Sequence, residues 1–207
     1  MKKSKRSDVD PFIVMDVMEA ARIAEEKGKD IIHMEVGQPG TPAPKTARDF
    51  ITNEINKNNL GYTVSLGLPD LRKKISNLYG DWYNLDVNPN RIVVTTGSSG
   101  AFILSFSALF DSGDRVGIGS PSYPSYRQIL KSLSLETVDI QTKLQNRFQP
   151  VPEDIINNNL NGILVASPAN PTGSMLDKQS LKNLINTANE NNVSFISDEI
   201  YHGIQYE

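Results

Sequence analysis

Near the end of this 207-residue chain, Asp198 and Tyr201 stand three residues apart, just past the apolar run 193–196. A carboxylate and a phenol at the carboxyl end of a buried strand lie where open α/β sheets bind their ligands. Three other segments have the same setting. Thr95-Thr96-Gly97-Ser98-Ser99-Gly100-Ala101 joins an apolar run to a helical pattern, and its small residues let backbone N–H groups and hydroxyls close around an anion. Pro121-Ser122-Tyr123-Pro124-Ser125-Tyr126 offers an aromatic face for a flat ligand. Ser167-Pro168-Ala169-Asn170-Pro171-Thr172-Gly173 holds an amide, Asn170, between two prolines that restrict the backbone. Each segment alone reads first as a turn: a serine cap, an aromatic sealing a core edge, a rigid bend, and Asp198 as the cap of the next turn.

Their coincidence at four successive strand ends changes that reading. A ligand using all four would carry a phosphate, a flat ring, a ring oxygen and a ring nitrogen able to hold a proton. Pyridoxal phosphate has those parts. The segment 95–101 matches neither the dinucleotide fingerprint nor the P-loop, because it lacks the third glycine of one and the Gly-Lys pair of the other.

The elements that must position these residues follow from hydrophobic period. Helical spacing predicts helices over 12–29, from Ala47 to Ile55, and from Pro69 through Leu71, Ile75, Leu78 and Trp82. Short segments bounded by turn residues predict strands at 31–36, 92–95, 115–118, 137–140, 163–166 and 193–196. Helices are expected at 99–110, 126–133 and 177–192, and the asparagines at 157–159 read as a polar helix end. Short strands alternating with helices imply right-handed crossovers, so the predicted class is α/β, a mostly parallel sheet flanked by helices.

Composition narrows the function. Lys and Arg number 21 against 24 Asp and Glu, and no basic block follows the first six residues, so nucleic acid is not an expected partner. No apolar run approaches membrane-spanning length. The chain contains no cysteine and two histidines, which exclude disulfides and disfavour a histidine-rich metal site, and a cytoplasmic location is expected.

The same motifs resemble those of the class I/II aminotransferases, which are fold-type I pyridoxal-phosphate enzymes. The resemblance runs from about Phe12 to the end. It rests on Gly37-Gln38-Pro39, Tyr62-Thr63, Gly67-Leu68-Pro69-Asp70-Leu71-Arg72 and Gly113-Asp114-Arg115-Val116, together with the four strand-end segments. It implies an N-terminal arm and small-domain segment over 1–45, and over 46–207 a large cofactor-binding domain incomplete at its C-terminus.

By this resemblance Ser98 and Ser99 bind the cofactor phosphate, and Tyr123 stacks on the pyridine ring. Asn170 and Tyr201 hydrogen-bond the phenolic oxygen, and Asp198 pairs with the ring nitrogen. Gly37 lies near the substrate carboxylate, as does Asn170, and Tyr62 reaches the phosphate of the other subunit's cofactor in a homodimer. The implied substrates are an amino acid and a 2-oxo acid. Many relatives carry Asn where this chain has Ala169. The family's Schiff-base lysine lies well downstream of the Asp-x-x-Tyr element, and no lysine follows Asp198 here, while Lys178 and Lys182 precede the strand. The chain is thus expected to be the N-terminal half of such an enzyme, inactive alone. The competing expectations are a carbon-sulfur lyase, decarboxylase or ring-forming synthase on the same cofactor, a non-catalytic binding protein, and an inert fragment.

Overall fold

The computed structural model describes residues 2–38 and 40–205, which divide into two compact units, Met1–Phe12 with Thr96–Glu207 and Ile13–Thr95. The first unit contains the sheet. Its elements in chain order are α4 (Gly97–Leu109), β1 (Arg115–Ser120), α5 (Ser125–Ser132), β2 (Glu136–Gln141), α6 (Pro152–Asn157), β3 (Gly162–Ala166), α7 (Lys178–Glu190) and β4 (Ser194–Asp198). The four strands are all parallel, in the order β2-β1-β3-β4. This is the α/β class expected from the sequence.

Successive residues of a strand face opposite sides, and β3 divides two cores accordingly. Leu164 points into one cluster, with Val116 and Ile118 of β1, Phe102 and Phe106 of α4, and Leu130 of α5. Ile163 and Val165 point into the other, with Leu184 and Ala188 of α7 and Ile155 of α6. The sheet is therefore covered on both faces, which is what lets the central strand β3 read as a short apolar run rather than an alternating one.

Local chemistry sets the helix ends. Asp177 caps α7, its Oδ1 accepting from the amides of Gln179 and Ser180 at 2.9 Å. Asn157 ends α6, so the run of asparagines does mark a helix end, although the helix before it has no clear periodic signal. β4 runs over Ser194–Asp198, making Asp198 the last residue of the strand rather than one two places beyond an end at Ile196.

The second unit holds α1 (Ile13–Glu26), α2 (Lys45–Ile55) and α3 (Pro69–Tyr83). Pro69 opens α3, and Asn84 closes it in a left-handed conformation (φ 54°), with its N–H donated to Gly80 O. The strands expected at 31–36 and 92–95 do not form. A strand exists only through a partner, and among the described residues neither run lies in a ladder. Ile32 and Met34 are 84% and 87% exposed, and Val94 N donates to Leu66 O at 3.0 Å outside any ladder.

Candidate functional site

From β1 the chain moves outward to β2, and from β3 it moves outward in the opposite direction to β4. The switch point of the sheet lies between the carboxyl ends of β1 and β3, where the two crossovers part and leave a crevice. The loops that open there are 121–124 and 167–177, and β4 ends alongside. Ser167 N donates to Asp198 O at 3.1 Å, carrying the β3–β4 ladder one step past Ala166.

Asp198 is 8% exposed. Its Oδ2 accepts the hydrogen bond of the Tyr126 hydroxyl, and its Oδ1 accepts from Ile200 N at 3.0 Å. Both donors are neutral, so the buried carboxylate receives hydrogen bonds from these two groups without gaining a counter-charge from either. Tyr126, 2% exposed, is wedged edge-on between Phe102, with ring centres 5.2 Å apart, and Tyr123, at 5.4 Å. Burial chiefly, and the bond to Asp198 next, hold its phenol far above the ordinary tyrosine range. Its proton thus stays in place as a fixed donor to the carboxylate.

Tyr123 is half-buried at the end of β1 and packs against the core cluster of α4 and α5. Tyr201 is half-buried in the turn after β4. Asn170 is half-buried in the loop after β3. That loop is closely bonded to itself: Gly173 N donates to Ala169 O at 2.8 Å, Ala169 N to Ser174 O at 3.0 Å, and Leu176 N to Ser167 Oγ at 3.0 Å.

Ser98 and Ser99 are exposed in the first turn of α4, which begins at Gly97 rather than at Ser99. Gly97 has φ +72°, a conformation that glycine takes without strain, and the N-cap Thr96 forms no side-chain cap bond. That turn sets the hydroxyls of Ser98 and Ser99 at a helix N-terminus, where an anion is favoured. Phe102 stands three and four residues beyond these serines, on the same side of the helix, and its contact with Tyr126 brings that end of α4 toward the strand ends.

The structure thus gathers Ser98, Ser99, Tyr123, Asn170, Asp198 and Tyr201 in one unit. Gly37 and Tyr62 belong to the other unit, both exposed. Tyr126 was not singled out from the sequence as a partner of Asp198. The available signal was a phenol at one strand end and an acid at another, and only the strand order pairs them.

The chain is similar to known proteins over nearly its whole length. The family profile of aminotransferase class I and II matches residues 29–207. The valine–pyruvate aminotransferase of Mycobacterium tuberculosis is 43% identical over 98% of this chain and 53% of its own length. The crystal structure of an aminotransferase from Mycobacterium tuberculosis superposes with a TM-score of 0.95 at 41% identity, covering 100% of this chain and 54% of that one. An alanine aminotransferase from Pyrococcus furiosus gives a TM-score of 0.90 at 33% identity, again over 100% of this chain and 54% of the other. The chain spans about half the length of the curated relatives it matches, between 50% and 54% for the first three.

Proposed function

The chain belongs to the class I and II aminotransferases, and on that premise we propose that the whole protein moves an amino group between an amino acid and a 2-oxo acid, using pyridoxal phosphate. The observation that carries this reading is the buried Asp198 carboxylate beside the sheet's switch point, fixed by Tyr126 and holding no charge from its two donors. A pyridinium N–H is a cationic donor, unlike the Tyr126 hydroxyl and Ile200 N. The small-residue first turn of α4 suits the phosphate equally.

When bound, the cofactor supplies a ring that takes up the electrons left as a substrate loses its Cα proton. Asp198 keeps a proton on the ring nitrogen, because an ionised carboxylate there favours the protonated form. Tyr126 holds that carboxylate in one orientation. Asn170 and Tyr201 donate to the phenolic oxygen, Ser98 and Ser99 take the phosphate, and Tyr123 covers one face of the ring. Gly37 and Asn170 approach the substrate carboxylate, and Tyr62 reaches the phosphate site of the partner in a homodimer. In this reading 1–45 is arm and small-domain segment, 46–207 is large domain, and the enzyme works in the cytoplasm.

Relatives of 43% and 31% identity bear the names valine–pyruvate aminotransferase and probable aspartate aminotransferase. The first favours a small aliphatic donor with pyruvate as acceptor. The 207 residues alone, with no lysine after Asp198, are expected to bind pyridoxal phosphate without covalent attachment or turnover. Equilibrium dialysis with pyridoxal phosphate tests the site. Asp198→Ala should weaken binding by about tenfold or more, the loss expected for a hydrogen bond to a charged group. Unchanged affinity would refute the role of Asp198, and borohydride trapping of one cofactor on a single lysine would refute the inactivity.

A further inference from the structure

Gln149 is a buried polar residue, 3% exposed, outside every segment given a role above. Its Nε2 lies 3.1 Å from Ala166 O, 3.2 Å from Ser174 O and 3.3 Å from Ser174 Oγ. Ala166 is the last residue of β3 and Ser174 lies beyond Gly173, so one amide ties together the two ends of the loop that carries Asn170. Ser174 O also accepts from Ala169 N at 3.0 Å, and Thr172 Oγ1 meets Ser174 Oγ at 2.9 Å. The contacts inside the loop and the contact from behind it therefore meet on one residue.

The approach to Gln149 is unusual for its residue types. Arg147 and Phe148 are consecutive and both left-handed, at φ 53° and 55°, a region that residues other than glycine seldom enter. Phe148 N is held by Lys143 O and Gln149 N by Asn146 O, both at 2.9 Å. Conformations of this kind persist where surrounding structure over-determines them and cluster near ligand clamps. Here they turn the chain inward and deliver an amide donor to three oxygens.

We propose that Gln149 is a positioning residue that closes the Asn170 loop from behind and so presents Asn170 to the ligand at the switch point. The inference rests on the cofactor reading above for the ligand's identity, but the hold on the loop stands on geometry alone. Glutamate in its place keeps the size and sets a carboxylate oxygen against acceptor oxygens. Methionine keeps the length and removes the donor.

The test is amide hydrogen exchange on this chain, together with pyridoxal phosphate affinity. In both Gln149→Met and Gln149→Glu, exchange at Ala169 and Gly173 should rise by about tenfold or more, with the β1 amides unchanged, as for a local opening. Pyridoxal phosphate affinity should fall with Asn170 present and be unaffected by the same changes in an Asn170→Ala background, the mark of coupled residues. The inference is overturned if the loop amides exchange as in the unmodified chain or if β1 accelerates equally. It is also overturned if the affinity loss survives removal of Asn170. Should Gln149→Glu fail to fold, Gln149→Met carries the same test. If the loop loosens and the unmodified chain does not bind pyridoxal phosphate at all, the hold on the loop stands and the cofactor reading falls.

Discussion

The hydroxyl of Tyr126 donates to Oδ2 of Asp198, joining residues 72 apart in the chain. β1 and β4 are not neighbours, because β3 lies between them. The segment after β1 therefore reaches across the end of β3 to hold the carboxylate at the end of β4. One hydrogen bond thus spans the ends of three strands, and it ties the orientation of Asp198 to the packing of Phe102 and Tyr123 around the phenol.

Removing that donor should be costly. Tyr126→Phe keeps the ring packing and leaves Oδ2 of a buried carboxylate short of a partner. The expected loss is about 1.5–3 kcal/mol, the range for hydrogen bonds to charged groups. Urea unfolding of Tyr126→Phe, Asp198→Asn and the double variant measures it, and the cycle should show strong coupling. Additive effects would mean that the two side chains do not act as a pair.

The same tyrosine gives the protein an alkaline limit. Burial first, then the bond to Asp198, raises its pKa above that of a phenol in the unfolded chain. The folded state thus favours the protonated form. Its contribution is full below the unfolded value of about 10 and is lost progressively as pH climbs from there toward the folded value. Unfolding free energy should fall above about pH 10, and Tyr126→Phe should flatten that fall. A profile of equal steepness in both proteins would remove Tyr126 as its source.

Much of this architecture is legible along the chain, and the reason is local. Leu71, Ile75, Leu78 and Trp82 behind Pro69 specify a helix without reference to anything distant, and β3 and the first part of β4 appear as apolar runs bounded by turn residues. Runs 31–36 and 92–95 look the same yet form no ladder, because an apolar stretch carries no information about whether an edge exists for it to pair with. Tyr123 and Asn170 follow strands and Asp198 ends one, as their placement after apolar runs suggested, whereas Ser98 follows 92–95, which forms no strand. The pairing of Tyr126 with Asp198 could not be anticipated, since it depends on strand order. Gln149, a single polar residue between Phe148 and Pro150, bears no pattern at all; its role exists only through the backbone oxygens it meets.

His33 offers a test in the other unit. Its Nδ1 lies 2.6 Å from Glu35 Oε1 and its Nε2 2.9 Å from Glu25 Oε1. The bond to Glu35 chiefly, then that to Glu25, raises its pKa to about 9. A raised histidine favours the folded state fully below about 6.5, its unfolded value, and that contribution is lost as pH rises through about 9. The imidazole resonances in an NMR titration should move with a midpoint near 9, and Glu35→Gln should lower it further than Glu25→Gln. A midpoint near 6.5 in the unmodified chain would show that the cluster does not persist in solution.

Gly162 should tolerate no side chain. It sits at the start of the central strand β3, paired with Val116 on one side and Ser194 on the other, so its backbone cannot slide. A Cβ built there would lie 2.2 Å from Cζ and 2.5 Å from Cε1 of Phe110, far inside van der Waals contact. Phe110 in turn rests on Phe106, ring centres 6.2 Å apart, and Phe106 is wholly buried. Gly162→Ala is therefore an overpacking change, with an expected cost of about 1–3 kcal/mol. Phe110→Leu shortens the obstructing ring. By itself it should destabilise through lost burial, yet in the Gly162→Ala background it should recover part of the stability, since the two changes share one space. Urea midpoints of the four proteins decide the matter. If Gly162→Ala unfolds at the unmodified midpoint, the Phe110 ring swings clear without cost and the close approach at the head of β3 is not a constraint on the sheet.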